Sequence, residues 1–383
     1  MKKVLLINSP IFDRKVSDKE DYLPPYGLGY IATALESDYN VKIVDSVYNN
    51  YTIEELLIII EKEQPVAVGI NIFSVDFELV KNLIEKCLTK TKFIVGGKST
   101  RFLYREIIKF NTPNEINITI GEGEYITKDI IEGKVSEQPL LQKDNRNVYL
   151  VNNNSKYFPK DLDVVSLNRE YFKGRKILNP YGKLEEAIVT SRECLYNCAF
   201  CGGARSLNSD VSVRVRSKEN IVAELKYIEN YDRDIQSIRI LDDLFLKNRQ
   251  SIVDAIAIFH QFSFTWRAMS HALSLKGNED LLPYLYTSSV IKELVEYSKN
   301  TKGKFRASAF QFRPYHGTEL YNKIHQKISY VHNDNLDNMK GRSQFNFTAG
   351  NFSCYDENLI EELVVKTNEL GSSTNDLRRS KKM

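Results

Sequence analysis

Apolar residues in the first 135 positions gather into short runs at 4–7, 41–44, 66–72, 93–95 and 116–120, interrupted by Lys42, Asn71, Asn117 and Thr119. Only the last alternates with polar residues, as a strand with one wet face would. Between the runs, Ile53, Leu56, Leu57 and Ile60, and then Phe77, Val80, Ile84 and Cys87, fall at helical spacing. Largely apolar strands separated by amphipathic helices predict an α/β fold, a doubly wound parallel sheet over residues 1–135. Such sheets bind ligands at the carboxyl ends of their strands. The residues expected there are Asn8-Ser9-Pro10, Asp45, Gly96-Gly97 and Gly121-Glu122-Gly123-Glu124.

The rhythm stops over 136–183, where Asn152-Asn153-Asn154, Pro159, Pro180 and scattered charge read as a linker wrapped on the surface. A second strand–helix alternation then begins. It predicts strands at 187–191, 237–241, 264–268 and 304–311, with helices at 218–230, 251–262, 280–286 and 290–299. This second core spans 184–325. Residues 326–383 form a C-terminal extension, polar from Gly371 onward and ending in a basic stretch expected to be a disordered tail.

Composition adds limits rather than identity. With 383 residues, the chain has room for two or three domains. It is 42% apolar and 27% charged, as a globular chain with a real core should be. A formal charge of +3 gives no electrostatic case for nucleic-acid binding. No apolar run approaches the roughly 20 residues that span a membrane, and no secretory signal is visible, so no membrane association is expected. Five cysteines in a chain this long are not a disulfide framework, and a cytoplasmic protein with reduced thiols is expected.

Three of those cysteines change the picture. Cys194, Cys198 and Cys201 follow a predicted strand with the spacing C-x3-C-x2-C. Three thiolates within eight residues can converge on one inorganic centre, and soft sulfur ligands favour an iron–sulfur cluster or zinc. A structural zinc site normally closes with four ligands. Cys87 lies on an apolar helix face, and Cys354 is isolated in sequence. Three ligands leave one position open, which in a cubane cluster means one iron free to bind a substrate or cofactor. Zinc closed by a fourth ligand elsewhere is the alternative.

The cysteine motif, with Phe200 before its last Cys and Gly202-Gly203 after it, resembles that of the radical S-adenosylmethionine enzymes. The resemblance implies a [4Fe-4S] cluster on Cys194, Cys198 and Cys201. Its fourth iron would chelate S-adenosylmethionine, and one electron would cleave the sulfonium to a 5′-deoxyadenosyl radical. It further implies a barrel of parallel strands with the motif after the first strand. Asp242-Asp243, after the second strand, resembles the acidic segment that binds the methionine amino group. Trp266-Arg267 lies at the end of the third strand, where family members face cofactor or substrate; Trp266 reads as core and Arg267 as a contact. The segment around Pro314 to Thr318, with His316, resembles the stretch that closes the site near the adenosine.

The N-terminal 135 residues are similar to the cobalamin-binding domain that precedes many such cores. The resemblance rests on the stretch from Leu23 to Ala32, Asp45, Gly96-Gly97 and Gly121-Glu122-Gly123-Glu124. It implies cobalamin at Pro10, Asp45, Gly96, Gly97, Gly121 and Glu122. No D-x-H-x-x-G sequence offers a histidine to cobalt, and neither His nor Cys occurs near those strand ends.

The pattern departs from a complete barrel of six units. Four strands are predicted, and residues 287–289 join two helices with no strand between them. The expected fold is therefore a doubly wound parallel sheet followed by a partial, shortened radical-enzyme barrel. The resemblance implies methylation of an unactivated carbon of a small molecule or peptide, with an external electron donor such as flavodoxin or ferredoxin. Epimerisation, dehydrogenation or rearrangement without cobalamin is one alternative. A degenerate, non-catalytic cluster-binding protein is another, and a zinc-stabilised binding module a third.

Overall fold

The computed structural model describes residues 1–9, 22–74, 76–135, 141–143, 146–152, 157–175, 177–179, 182–198, 201–208 and 212–271, with 274, 277–278 and 280–281. Pro10, Phe200, His316, the strand expected at 304–311, the helix at 290–299, most of the helix at 280–286, the junction at 287–289 and the extension 326–383 lie outside them. Two compact units meet in sequence at Ile177 and Leu178.

In the first unit the strands are β1 (Lys3–Asn8), β2 (Asn40–Asp45), β3 (Ala67–Asn71), β4 (Lys92–Gly96), β5 (Glu115–Ile120), β6 (Leu141–Lys143) and β7 (Arg146–Asn152). The helices are α1 (Tyr26–Leu35), α2 (Ser46–Asn49), α3 (Ile53–Glu63), α4 (Phe77–Lys86), α5 (Thr100–Ile107) and α6 (Ile126–Ile131). The sheet order is β2-β1-β3-β4-β5-β7-β6, parallel except for the last pair. Alternation within β1 shows why it is doubly wound. Leu5 and Ile7 pack with α3, α4 and α5 on one face, while Val4 and Leu6 pack with α1 on the other. α3 starts where Thr52 and Glu55 form a reciprocal capping box. The chain winds outward in both directions from β1 and β3, so a crevice opens at their carboxyl ends.

The expected surface linker is not one. β6 and β7 extend the sheet, and residues 157–177 fold back onto α1. Phe172 packs on Tyr26 with ring centroids 5.2 Å apart. It lies so close to Gly29 that a Cβ there would meet its ring at 2.6 Å. The Asn168 backbone donates to Thr33 Oγ1 at 2.8 Å, and its side chain donates to Glu36 at 2.9 Å. The first unit therefore runs to Ile177 rather than 135. Isolated anchors hold this segment, so it carries no periodic signal.

The second unit contains β8 (Glu185–Ile188), β9 (Ser191–Arg192), β10 (Arg214–Val215), α7 (Lys218–Tyr231), β11 (Ser237–Ile240), α8 (Arg249–Phe259) and β12 (Thr265–Arg267). Its described parallel sheet has the order β12-β11-β8. Ile188, Ile238, Ile240 and Trp266 turn to the helices and form one core with Leu225, Ile252 and Phe259. Trp266 stacks on Phe259 at 4.8 Å, in keeping with its reading as a packing residue. The run expected as one strand at 187–191 is broken at 189–190. β8 stays with β11, while β9 pairs antiparallel with β10. No described helix is long and apolar enough to cross a membrane.

Candidate functional site

The cysteine loop leaves β9 through Glu193, whose φ of 72° lies in the left-handed region. That conformation costs a non-glycine residue about 1–3 kcal/mol. It turns the chain out of the strand immediately before Cys194. Between β9 and β10 the loop braces itself. Asn197 Oδ1 accepts from the Ser206 backbone at 3.1 Å, Arg205 N donates to Tyr196 O at 3.1 Å, and Asn208 donates to Gly202 O at 3.2 Å. Cys201 N donates to Cys198 O at 3.0 Å, which closes a turn. Tyr196 stacks on His271 at 4.1 Å, and its hydroxyl pairs with Ser274 at 2.9 Å.

All three cysteines are half-buried free thiols. Burial pushes the Cys194 thiol up, and the charges of Asp243, Cys201 and Cys198 add to the shift. Among the described residues, no group of three His, Cys, Asp or Glu side chains is arranged to hold a metal ion. A cubane spreads three thiolates over three irons, so it does not require the tight convergence of a single-ion site. A Cβ on Gly203 would lie 3.6 Å from both Cys201 Sγ and an Asp243 carboxylate oxygen, and one on Gly202 would meet nothing within 4 Å. The donor set and this bare backbone fit a cluster with room beside it.

The two expected acidic ligands part company here. Asp243 is exposed beside Cys201 and Gly203. Asp242 is 2% exposed and fully engaged. It accepts from Thr190 N at 2.7 Å, Thr190 Oγ1 at 2.5 Å and Ser191 Oγ at 2.6 Å. Arg267 is likewise engaged: its Nε donates to Glu185 at 2.9 Å, and Glu185 also accepts from Ser237 at 3.0 Å.

Strand ends in the first unit carry a denser polar network. Asp45, 0% exposed, accepts from Asn8 at 2.9 Å, Tyr48 N at 3.2 Å and Arg175 at 2.6 Å, and also from the Tyr22 hydroxyl. Burial, then the Asp45 charge, pushes Tyr22 up. In the crevice between β1 and β3, Asn71 receives the Ser9 N–H at 2.8 Å. Asp76 receives Phe73 N at 2.7 Å and the Ser9 hydroxyl. Full burial pushes the Asp76 carboxyl up to about 7. Asp45 is thus a saturated hub, while Gly96, Gly97, Gly121 and Glu122 sit at the ends of β4 and β5. Gly97 has φ 109° and Gly121 φ 123°, and both are exposed, which leaves a ridge of bare backbone. A Cβ on Gly97 would meet Ile72 O at 3.2 Å. Bare backbone at these strand ends lets a ligand approach closely.

Sequence reasoning missed Tyr22, Asp76, Arg175, Thr190, Ser191 and Lys247. Of these, Ser191 was inside a predicted strand end and Arg175 inside the supposed linker; none lies in a motif that could have flagged it.

Fold and site together define a class: a doubly wound domain with a glycine-edged strand-end cradle, joined to parallel strand–helix units carrying a three-cysteine loop. Comparisons with known proteins agree. Residues 17–131 match the B12 binding domain family. The chain is 26% identical over 264 residues to a Pyrococcus horikoshii protein described as an uncharacterized methyltransferase, covering 64% of this chain and 55% of the relative. It is 30% identical over 145 residues to a putative methylthiotransferase of Methanocaldococcus jannaschii, covering 36% and 28%. Its fold is similar to that of OxsB, a cobalamin-dependent S-adenosylmethionine radical enzyme solved with aqua-cobalamin bound. That match has a TM-score of 0.50 and 19% identity, over 74% of this chain and 41% of OxsB. The chain thus spans about half the length of the first curated relative. It resembles the cobalamin-dependent radical S-adenosylmethionine enzymes, with a B12-binding type of domain at its N-terminal end.

Proposed function

We propose that this chain is a cobalamin-dependent radical S-adenosylmethionine enzyme that methylates an unactivated carbon of a small molecule or peptide. One conjunction carries the reading: a B12-family match over 17–131, and a three-thiol loop that follows the parallel strand β8 and the short strand β9 of the second unit. The first curated relative's description as a methyltransferase supports the reaction type.

When bound, the cluster supplies the electron that cleaves S-adenosylmethionine and the corrinoid supplies the methyl group. Cys194, Cys198 and Cys201 would hold the cluster, which would then be available to the methionine portion of S-adenosylmethionine. Asp243 accepts the methionine ammonium, and Gly202-Gly203 give that portion room. Gly96, Gly97, Gly121 and Glu122 seat the corrinoid. In this reading Asp242 works through the loop rather than on the substrate. Water must be kept from any radical, and positioning the substrate C–H bond is the protein's main task. An external flavodoxin- or ferredoxin-type donor supplies electrons in the cytoplasm.

The test is anaerobic reconstitution with iron, sulfide and cobalamin, then incubation with S-adenosylmethionine and a strong reductant. A brown protein that forms 5′-deoxyadenosine and retains cobalamin through gel filtration is expected. Replacing all three cysteines by alanine should remove colour and product together. A brown protein without product would favour the non-catalytic alternative, and a colourless zinc protein would end the radical reading.

A further inference from the structure

Lys247 follows β11 by seven residues and precedes α8. Lysine is a flexible, strongly hydrated cation that normally stays in water. This one is half-buried and turned inward. Its ammonium donates to Ser191 Oγ at 2.8 Å and lies 3.5 Å from Phe245 O. Ser191 in turn donates to Asp242 at 2.6 Å, and Asp242 ties down Thr190. The result is a chain, Lys247–Ser191–Asp242, whose middle member lies in the last strand before the cysteine loop. Ser191 stands three positions ahead of Cys194. A buried carboxylate is tolerated when a cation balances it, and Lys247 is placed to do so.

We propose that Lys247 sets the reduction potential of the cluster held by Cys194, Cys198 and Cys201, as a positioning residue whose positive charge offsets Asp242 at the strand end that leads into the cysteine loop. The assignment rests on the proposed function only in needing the cluster. Reduction adds one electron, from an external low-potential donor, to a centre already negative through its three thiolates. No bond to protein forms or breaks. A neighbouring cation stabilises the reduced state more than the oxidised one. Without it, Asp242 is left as an unbalanced negative charge near the cluster, and reduction becomes harder. Burial acts to lower the pKa of Lys247, whereas Asp242 and Cys194 both favour its charged form. At the effective dielectric of a protein site, such a charge changes an equilibrium on the order of tenfold.

The experiment is a redox titration, followed by electron paramagnetic resonance, of the reconstituted full chain without S-adenosylmethionine. Wild type, K247M, K247Q, K247R and D242N are compared, after iron and sulfide content establish that each holds its cluster. K247M and K247Q should shift the reduction equilibrium roughly tenfold toward the oxidised state, about 59 mV downward for one electron. K247R should stay near wild type, and D242N should move the opposite way. Intact clusters with unchanged potentials in K247M and K247Q would overturn the assignment and leave the proposed function standing. If both neutral variants fail to assemble a cluster while K247R succeeds, Lys247 builds the loop rather than tuning it, and the assignment is likewise overturned. A wild-type chain that assembles no cluster overturns the proposed function and this assignment with it.

Discussion

The strand ends of the two units solve the same problem in opposite ways. Around Asp45 and Asp76 in the first unit, buried polar groups find their partners within the protein. Asp45 alone gathers Asn8, Tyr22, Tyr48 and Arg175, which come from four separate stretches of chain. The three thiols of the second unit stay half-exposed, while the loop around them is braced by its backbone and by Tyr196, Asn197 and Asn208. The contrast shows where each unit keeps its stability. The first fixes its cradle by saturating its buried charges. The second fixes the path of its loop and leaves its three thiols half-exposed.

The comparison breaks most readily at Asp45. Asp45→Ala strands Arg175, whose side chain is only 12% exposed. Removing one member of a buried pair typically costs about 3–5 kcal/mol. Urea unfolding should show a loss of that order in the first unit, and a neutral result would mean that the hub does not hold the sheet ends.

Asp76 sharpens the picture through pH. Its carboxyl titrates near 7 in the folded protein and near 3.9 when unfolded. The folded state therefore holds the proton more tightly. There is no penalty below about pH 4; stability falls as pH rises from about 4 to 7, and the full penalty applies above 7. Asp76→Asn keeps an acceptor for Phe73 N and removes the ionisation. It should match wild type near pH 4 and exceed it at pH 8 by up to about 4 kcal/mol. Equal pH profiles for the two proteins would show that Asp76 stays ionised in the fold.

The smallest effect belongs to the thiols. Replacing Cys194, Cys198 and Cys201 together should change the stability of the cluster-free second unit by no more than about 1 kcal/mol, because none is a core side chain. A large loss in unfolding experiments would make them packing residues and erase the contrast.

Much of the architecture was legible in advance because it is periodic. The five apolar runs became β1 to β5, and Ile53, Leu56 and Ile60 became the buried stripe of α3. The cysteine spacing was legible because its three residues are neighbours in sequence. The segment from 136 to 177 was not, since Phe172 and Arg175 act singly and their partners, Gly29 and Asp45, lie more than 100 positions away. Nor could adjacent Asp242 and Asp243 be told apart, although one is buried under Thr190 and Ser191 and the other faces the cysteine loop.

The sequence by itself determined the alternation of strands and helices, the doubly wound class of the first unit and the three-thiol donor set. Each depends on residues within a few positions of one another, where backbone geometry alone decides which side chains meet. Tertiary structure decided which charges are consumed and which remain for chemistry. That choice depends on burial, and burial is set by chain segments that pattern alone does not bring together.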